Sequence, residues 1–308
     1  MAKKSRAAIN FEYGALRFFC ALVNAIPYPV AMAAARGLAR LAFDIFGLQR
    51  KRTIDRISTA FPSKTPKEVR AIARNSLANV LQSAVEMIRA PKLDRRWMDR
   101  HVVDGQLYKD RLQELVDEGN GVVIMVPHSG NWYMAAWSMA KYGLPLFALA
   151  APQRNPKIDA WMKRQYGDIE VLDRSEKSTL ARIKDKLKSG RAFAILPDLR
   201  VPTPDVDVKF LNGTANVSHA GAMFAARCGS PVVVAAMHRE NGKHVFNHLA
   251  TLRPDPNSTD AKAEAIRLTR EAMTLINAEV KERPGARRCR GGDGRRRACL
   301  GSPWSSQG

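Results

Sequence analysis

Residues 123–134 read Val-Ile-Met-Val-Pro-His-Ser-Gly-Asn-Trp-Tyr-Met. A short apolar, β-branched run stops at Pro127, and a histidine follows it at once. The turn sequence Gly119-Asn120-Gly121 precedes the run, so Gly121–Val126 reads as a buried strand. From Gly130 to about residue 141 the pattern becomes helical. A strand that passes into a helix through a glycine is the repeating unit of a layered α/β sheet. It leaves His128 at the carboxyl end of a strand, where such sheets gather their ligands.

Working outward, further apolar runs follow at Leu146–Ala150, Ile169–Leu172, Phe193–Leu196, Val206–Leu211 and Val232–Met237. Amphipathic segments at 107–118, 156–166, 176–188, 218–228 and 260–282 separate them. Residues 101–283 therefore predict an α/β domain with helices on both faces of a layered sheet. In Phe193-Ala194-Ile195-Leu196-Pro197-Asp198, the aspartate falls just past a second strand end.

Residues 1–100 lack this alternation and read as a helical, membrane-associating region. Residues 18–35 carry no charge, at the lower edge of a spanning length. Pro27 and Pro29 break them into two helical pieces. Basic residues flank the apolar stretch: Lys3, Lys4 and Arg6 before it, and Arg36, Arg40, Arg50, Lys51 and Arg52 after it. Apolar helices beside basic residues suit an anionic leaflet; a buried hairpin of core helices is the plainer alternative. Thr65, Pro66 and Glu68 form a capping box that opens a helix running to about Arg89. On it Asn79 and Glu86 share a face, which for charged and amide residues ordinarily means a solvated stripe.

The 308 residues carry a formal charge of +21, which implies a polyanionic neighbour. Nucleic acid, an anionic membrane surface and a phosphorylated or acyl-thioester substrate all qualify. No basic platform interleaved with aromatics is present, so nucleic acid is not expected as a partner. Cys20, Cys228, Cys289 and Cys299 form no metal or redox spacing, and the histidines form none either, so no metal is expected. From Pro284 the chain has no period, and from Gly285 it holds six arginines against one aspartate. Residues 284–308 read as a disordered basic Gly/Arg tail. A nucleic-acid-binding arm is one account of it; an altered reading frame is the favoured one.

A histidine at a strand end, with Ser129-Gly130-Asn131 opening a helix, suits a general base beside an anion-stabilising helix terminus. A histidine that simply caps the strand–helix turn is the alternative. Ser129 lacks the first glycine of a hydrolase elbow, and no phosphate-binding glycine loop occurs.

Several stretches, in order, resemble the bacterial lipid A late-acyltransferase family, which includes the phosphatidylinositol mannoside acyltransferases. They are Arg56–Pro62, Ser76–Asn79 followed by Glu86, Gly121–Trp132, Asn155–Arg164, Leu187–Arg191, Ile195–Asp198 and Lys209–Ala215. The resemblance spans roughly residues 12–283. It implies a glycerolipid-acyltransferase-like fold and an O-acyltransferase at the cytoplasmic face of the inner membrane. The acyl donor would be an acyl carrier protein or coenzyme A thioester, with no further cofactor, and the acceptor an anionic glycolipid such as a lipid A precursor. His128 would be the base, Gly130 and Asn131 would shape the site, Arg164 would hold the donor or a lipid phosphate, and Asp198 matches a family aspartate.

Two departures stand out. Tyr133 occupies the motif's carboxylate position, five residues after His128. Either Asp198 serves His128 instead, or Tyr133 supports a slower or different reaction, or the chain is a non-catalytic glycolipid-binding or membrane-scaffold homologue. In addition, the family's aromatic and basic carboxyl-terminal helix is replaced after Glu282-Arg283-Pro284 by the Arg/Gly tail.

Overall fold

The protein is described by a computed structural model covering residues 5–286. Four helices come first: α1 (Arg6–Ala25), α2 (Tyr28–Arg40), α3 (Arg50–Ala60) and α4 (Pro66–Arg89). The break between α1 and α2 falls at Ile26-Pro27, where backbone without a free N–H cannot continue a helix. Thr65 caps α4, and Glu68 returns the bond to its backbone, so both halves of the expected box are made. A short α5 (Arg95–His101) and the two-residue β1 (Val102–Val103) lead into the α/β part.

That part runs α6 (Gly105–Asp117), β2 (Val122–Met125), α7 (Trp132–Lys141), β3 (Leu146–Ala150), α8 (Pro156–Gln165), β4 (Glu170–Asp173), α9 (Thr179–Lys188) and β5 (Ala192–Ile195). Then come β6 (Val206–Phe210), β7 (Gly213–Val217), α10 (Ala220–Cys228), β8 (Val232–Glu240), β9 (Lys243–Leu252) and α11 (Ala261–Glu282). Seven strands form one sheet in the order β1-β9-β8-β2-β5-β3-β4. All its pairings are parallel except β8 with β9. The two strands that flank the site, β2 and β5, are central and pair in register from Val122 with Ala192 to Met125 with Ile195.

Alternation along each strand divides the core into two layers. Val122 and Ile124 face α6 and α7 with Ala192, Val233 and Met237. Val123 and Met125 face the opposite layer, with Phe193, Val234 and residues of α9, α10 and α11. Both sheet faces are thus covered, and β2 is apolar at every position, as a doubly buried parallel strand requires.

Three details differ from the sequence expectation. Val206–Phe210 pairs with β7 in a separate two-stranded sheet. Its burial alternates, so it has one apolar face and cannot sit in the interior of a parallel sheet. The antiparallel β9 presents no apolar run in the sequence, because His244, Asn247 and His248 dilute its pattern. Its real signal was Asn241-Gly242, whose positive φ values of 48° and 79° make the tight turn from β8. At the carboxyl end, Pro284–Ala286 form one 3-10 turn against α4, with Gly285 beside Asn75. The expected tail from residue 287 onward, with Cys289 and Cys299, lies outside the described residues, as do Lys3 and Lys4.

The helical region lies against the α/β part. α1 packs on α8, α2 on α4, and α4 on α7. No helix among the described residues is long and apolar enough to cross a membrane.

Candidate active site

β2 ends at Met125, and three residues later His128 is 8% exposed at the carboxyl edge of the sheet. β5 ends at Ile195, and three residues later Asp198 is fully buried. Because the two strands are in register neighbours, equal overhangs bring the two side chains together. The His128 Nδ1 lies 2.7 Å from Asp198 Oδ1. The His128 backbone N–H also donates to both oxygens of Asp198, at 3.2 and 3.0 Å. An ionised carboxylate only accepts hydrogen bonds, so the ring proton lies on Nδ1 and the lone pair on Nε2. A histidine held this way can take a proton from a hydroxyl at Nε2 and stabilise the resulting imidazolium against Asp198.

Trp132 lies edge-on to the His128 ring, with centroids 5.6 Å apart. Tyr133 points elsewhere. It is buried on α7, and its hydroxyl donates to the Gln165 carbonyl at the end of α8. Burial pushes its phenol pKa up, so it is a neutral donor. The carboxylate at the His128 ring therefore comes from β5, and Tyr133 joins α7 to α8.

Gly130 and Asn131 turn the chain from β2 into α7. Gly130 has φ +63°, and a Cβ there would lie 1.6 Å from the Met237 carbonyl oxygen. Only glycine fits such an approach to β8. The Asn131 N–H donates to that same carbonyl, and its side-chain oxygen caps α7 by accepting from the Met134 N–H. From α4, Asn79 donates to the Gly130 carbonyl at 2.8 Å, and the Asn131 amide donates to Glu86. The expected solvated stripe on α4 is thus buried against the site: Glu86 is 0% exposed. Its sequence signal was a polar series at 79, 82 and 86, at helical spacing, inside an otherwise apolar helix.

A cavity of about 420 Å³ opens beside His128 on the α6–α7 face of the sheet. Its lining comes from Phe246 on β9, Ala235 on β8, Ile124 on β2, Ala194 on β5, Ala148 on β3 and Val171 on β4. Neighbouring strands lie about 4.8 Å apart, so it reaches across about 24 Å of sheet. Small side chains make the room. Ala148 and Ala194 are register partners, and Ala135 and Ala136 of α7 lie over the same space. The lining is overwhelmingly apolar; among the described residues, Arg174 is the only Lys or Arg on it.

Arg164 is not at this cavity. It is exposed on α8, near Tyr13 of α1, whose hydroxyl accepts from Arg17. The position follows from helix periodicity: Trp161, Met162 and Gln165 take the buried face of α8 and leave Arg164 outside. Among the described residues, no group of three His, Cys, Asp or Glu is placed to hold a metal ion.

Residues 2–286 match the protein family described as bacterial lipid A biosynthesis acyltransferase. A phosphatidylinositol mannoside acyltransferase of Mycolicibacterium smegmatis is 26% identical over 218 residues, 68% of this chain and 69% of that protein. A lipid A biosynthesis acyltransferase 2 of Shigella flexneri is 31% identical over 128 residues, 38% of each chain. A phosphatidylinositol mannoside acyltransferase of Mycobacterium tuberculosis is 24% identical over 196 residues, 60% of this chain and 59% of that protein.

Proposed function

Because the chain belongs to the bacterial lipid A biosynthesis acyltransferase family, and is an acyltransferase by that membership, we propose that it moves a fatty acyl chain from a thioester to a hydroxyl of an anionic glycolipid. The thioester is that of acyl carrier protein or coenzyme A. The observation that carries the reading is the His128–Asp198 pair at 2.7 Å beside a long apolar cavity. His128 Nε2 takes the proton of the acceptor hydroxyl as its oxygen attacks the thioester carbonyl. The tetrahedral intermediate expels the thiolate, which recovers that proton from the imidazolium. Asp198 keeps the ring oriented throughout. No acyl-enzyme is needed. The apolar cavity suits the acyl chain, whose burial is favoured by roughly 0.8 kcal/mol per methylene.

The same proposal places the reaction at a membrane surface, the cytoplasmic face of the inner membrane. α1 exposes Phe11, Phe18, Phe19 and Leu22; α2 and the turn after it expose Val30, Leu38, Ile45, Phe46 and Leu48. Arg17, Arg36, Arg40, Lys51 and Arg52 are exposed among them. Apolar residues rimmed by cations suit an anionic leaflet, with the helices lying in the interface.

The test is acyl transfer to extracted glycolipid by the full chain in anionic vesicles, with product read by mass spectrometry. Acyl carrier protein and coenzyme A thioesters are offered separately. We predict product with the wild type and at least a 10²-fold slower rate for His128→Ala at unchanged folding. Equal rates would remove His128 from the mechanism. Glycolipid binding without transfer in the wild type would favour the non-catalytic reading that Tyr133 first raised.

A further inference from the structure

Glu86 is a fully buried carboxylate outside the His128–Asp198 pair, and four donors from four parts of the chain converge on it. Tyr28 at the start of α2 donates its hydroxyl at 2.8 Å, and His244 on β9 meets it through Nε2 at 3.0 Å. Arg239 on β8 and Asn131 in the loop after His128 complete the set. Burial alone would raise the pKa of this carboxyl, but His244 and Arg239 outweigh that and hold it down to about 2, so it is charged at neutral pH. Buried charge of this kind is not cheap, and a core of apolar residues would serve stability as well.

The geometry around Asn131 shows what the charge can do. The side-chain amide is held at both ends: its oxygen by the Met134 N–H and its nitrogen by Glu86. Arg239, paired with Glu86, also donates to Asn79, and Asn79 donates to the Gly130 carbonyl. Both residues of the turn that follows His128 and Ser129 are therefore tied to α4: Asn131 directly to Glu86, and Gly130 to Asn79, which Arg239 links to the same carboxylate. We propose that Glu86 is a positioning residue for acyl transfer, fixing the 128–131 loop through Asn131 directly and through Arg239 and Asn79 to Gly130. The inference rests on the reading of His128 as base. Glu86 does not touch substrate; it keeps the base at the distance and angle on which the rate depends, where displacement by about 1 Å can cost about 10²-fold.

The experiment uses the full chain in anionic vesicles and measures kcat, the KM of the acyl donor and the melting temperature. The variants are Glu86→Gln, Asn131→Asp and the two combined. Glu86→Gln is expected to lower kcat at least tenfold, with donor KM within about twofold and the protein folded at the assay temperature. Asn131→Asp alone sets two carboxylates against each other and is expected to be slow as well. Combined, the variants remake an amide–carboxylate bond in the opposite sense, and kcat is expected to exceed that of either single variant. A folded Glu86→Gln protein with wild-type kcat overturns the proposal. So does a double variant whose losses simply multiply, since that is the behaviour of two unrelated structural sites. If Glu86→Gln does not fold, Asn131→Asp reads the same link from the other end, and an unchanged kcat there overturns it. An inactive wild type overturns the His128 reading and this one with it, whereas an active wild type with a fast Glu86→Gln variant overturns this one alone.

Discussion

At the scale of single residues, the position five after His128 decides how the site is understood. Tyr133 stands where the family motif has a carboxylate, and a phenol cannot stabilise an imidazolium as a carboxylate does. The structure supplies a carboxylate from elsewhere: Asp198 reaches the His128 ring from the neighbouring strand. Tyr133 is turned away, buried, and bonded to the Gln165 carbonyl. We predict that Tyr133→Phe keeps most of the activity and costs about 1 kcal/mol of stability, the worth of one buried hydrogen bond. Tyr133→Glu is expected to give no gain in rate and to destabilise by several kcal/mol, because it buries an unpaired acid where α7 meets α8. Denaturant melts and initial rates on the two variants check both statements; a faster Tyr133→Glu enzyme would contradict them.

At the scale of elements, the site is assembled from overhangs. β2 and β5 run in register and each delivers its side chain three residues past its end. The loop between β2 and α7 is then pressed so close to β8 that Gly130 admits no side chain. The cavity also belongs to this scale, since its floor has room because Ala148, Ala194 and Ala235 stand at strand positions on the α7 face. Ala194→Leu would fill the space without leaving the apolar class. We predict that this variant lowers kcat/KM for a long-chain donor at least tenfold, and does so much less for a donor about four carbons shorter. A donor series of graded chain length measures it; an unchanged preference would place the acyl chain outside the cavity.

At the scale of the whole molecule, the +21 formal charge and the exposed aromatics of α1 lie in one chain with one expected consequence. Binding to vesicles should rise with anionic lipid content and fall with salt, since charge attraction over more than about 10 Å is screened at 0.1 M ionic strength. Phe18→Asp changes a side chain that is 75% exposed, so the fold should be unaffected while vesicle co-sedimentation drops at least severalfold. Binding that ignores both salt and Phe18→Asp would place the membrane-facing surface elsewhere.

The sequence by itself determined the local structure and the family. The capping box at Thr65, the break at Pro27, the apolar run of β2 and the helix–strand alternation through β5 are short-range properties, and each could be read from periodicity, caps and breakers, whereas β1, β7 and β9 carry no such run. His128 and Asp198 were legible because each ends a strand. Tertiary structure alone decided their partnership, because a 70-residue separation closes only when β2 and β5 pair in register. It also turned Arg164 outward and Glu86 inward, although both lie on amphipathic helices. A helical period says which residues share a face, but only packing says which face is buried and what stands opposite it. For Glu86 the opposite wall is built from β8, β9 and the start of α2, up to 158 residues away along the chain. No local pattern encodes that meeting.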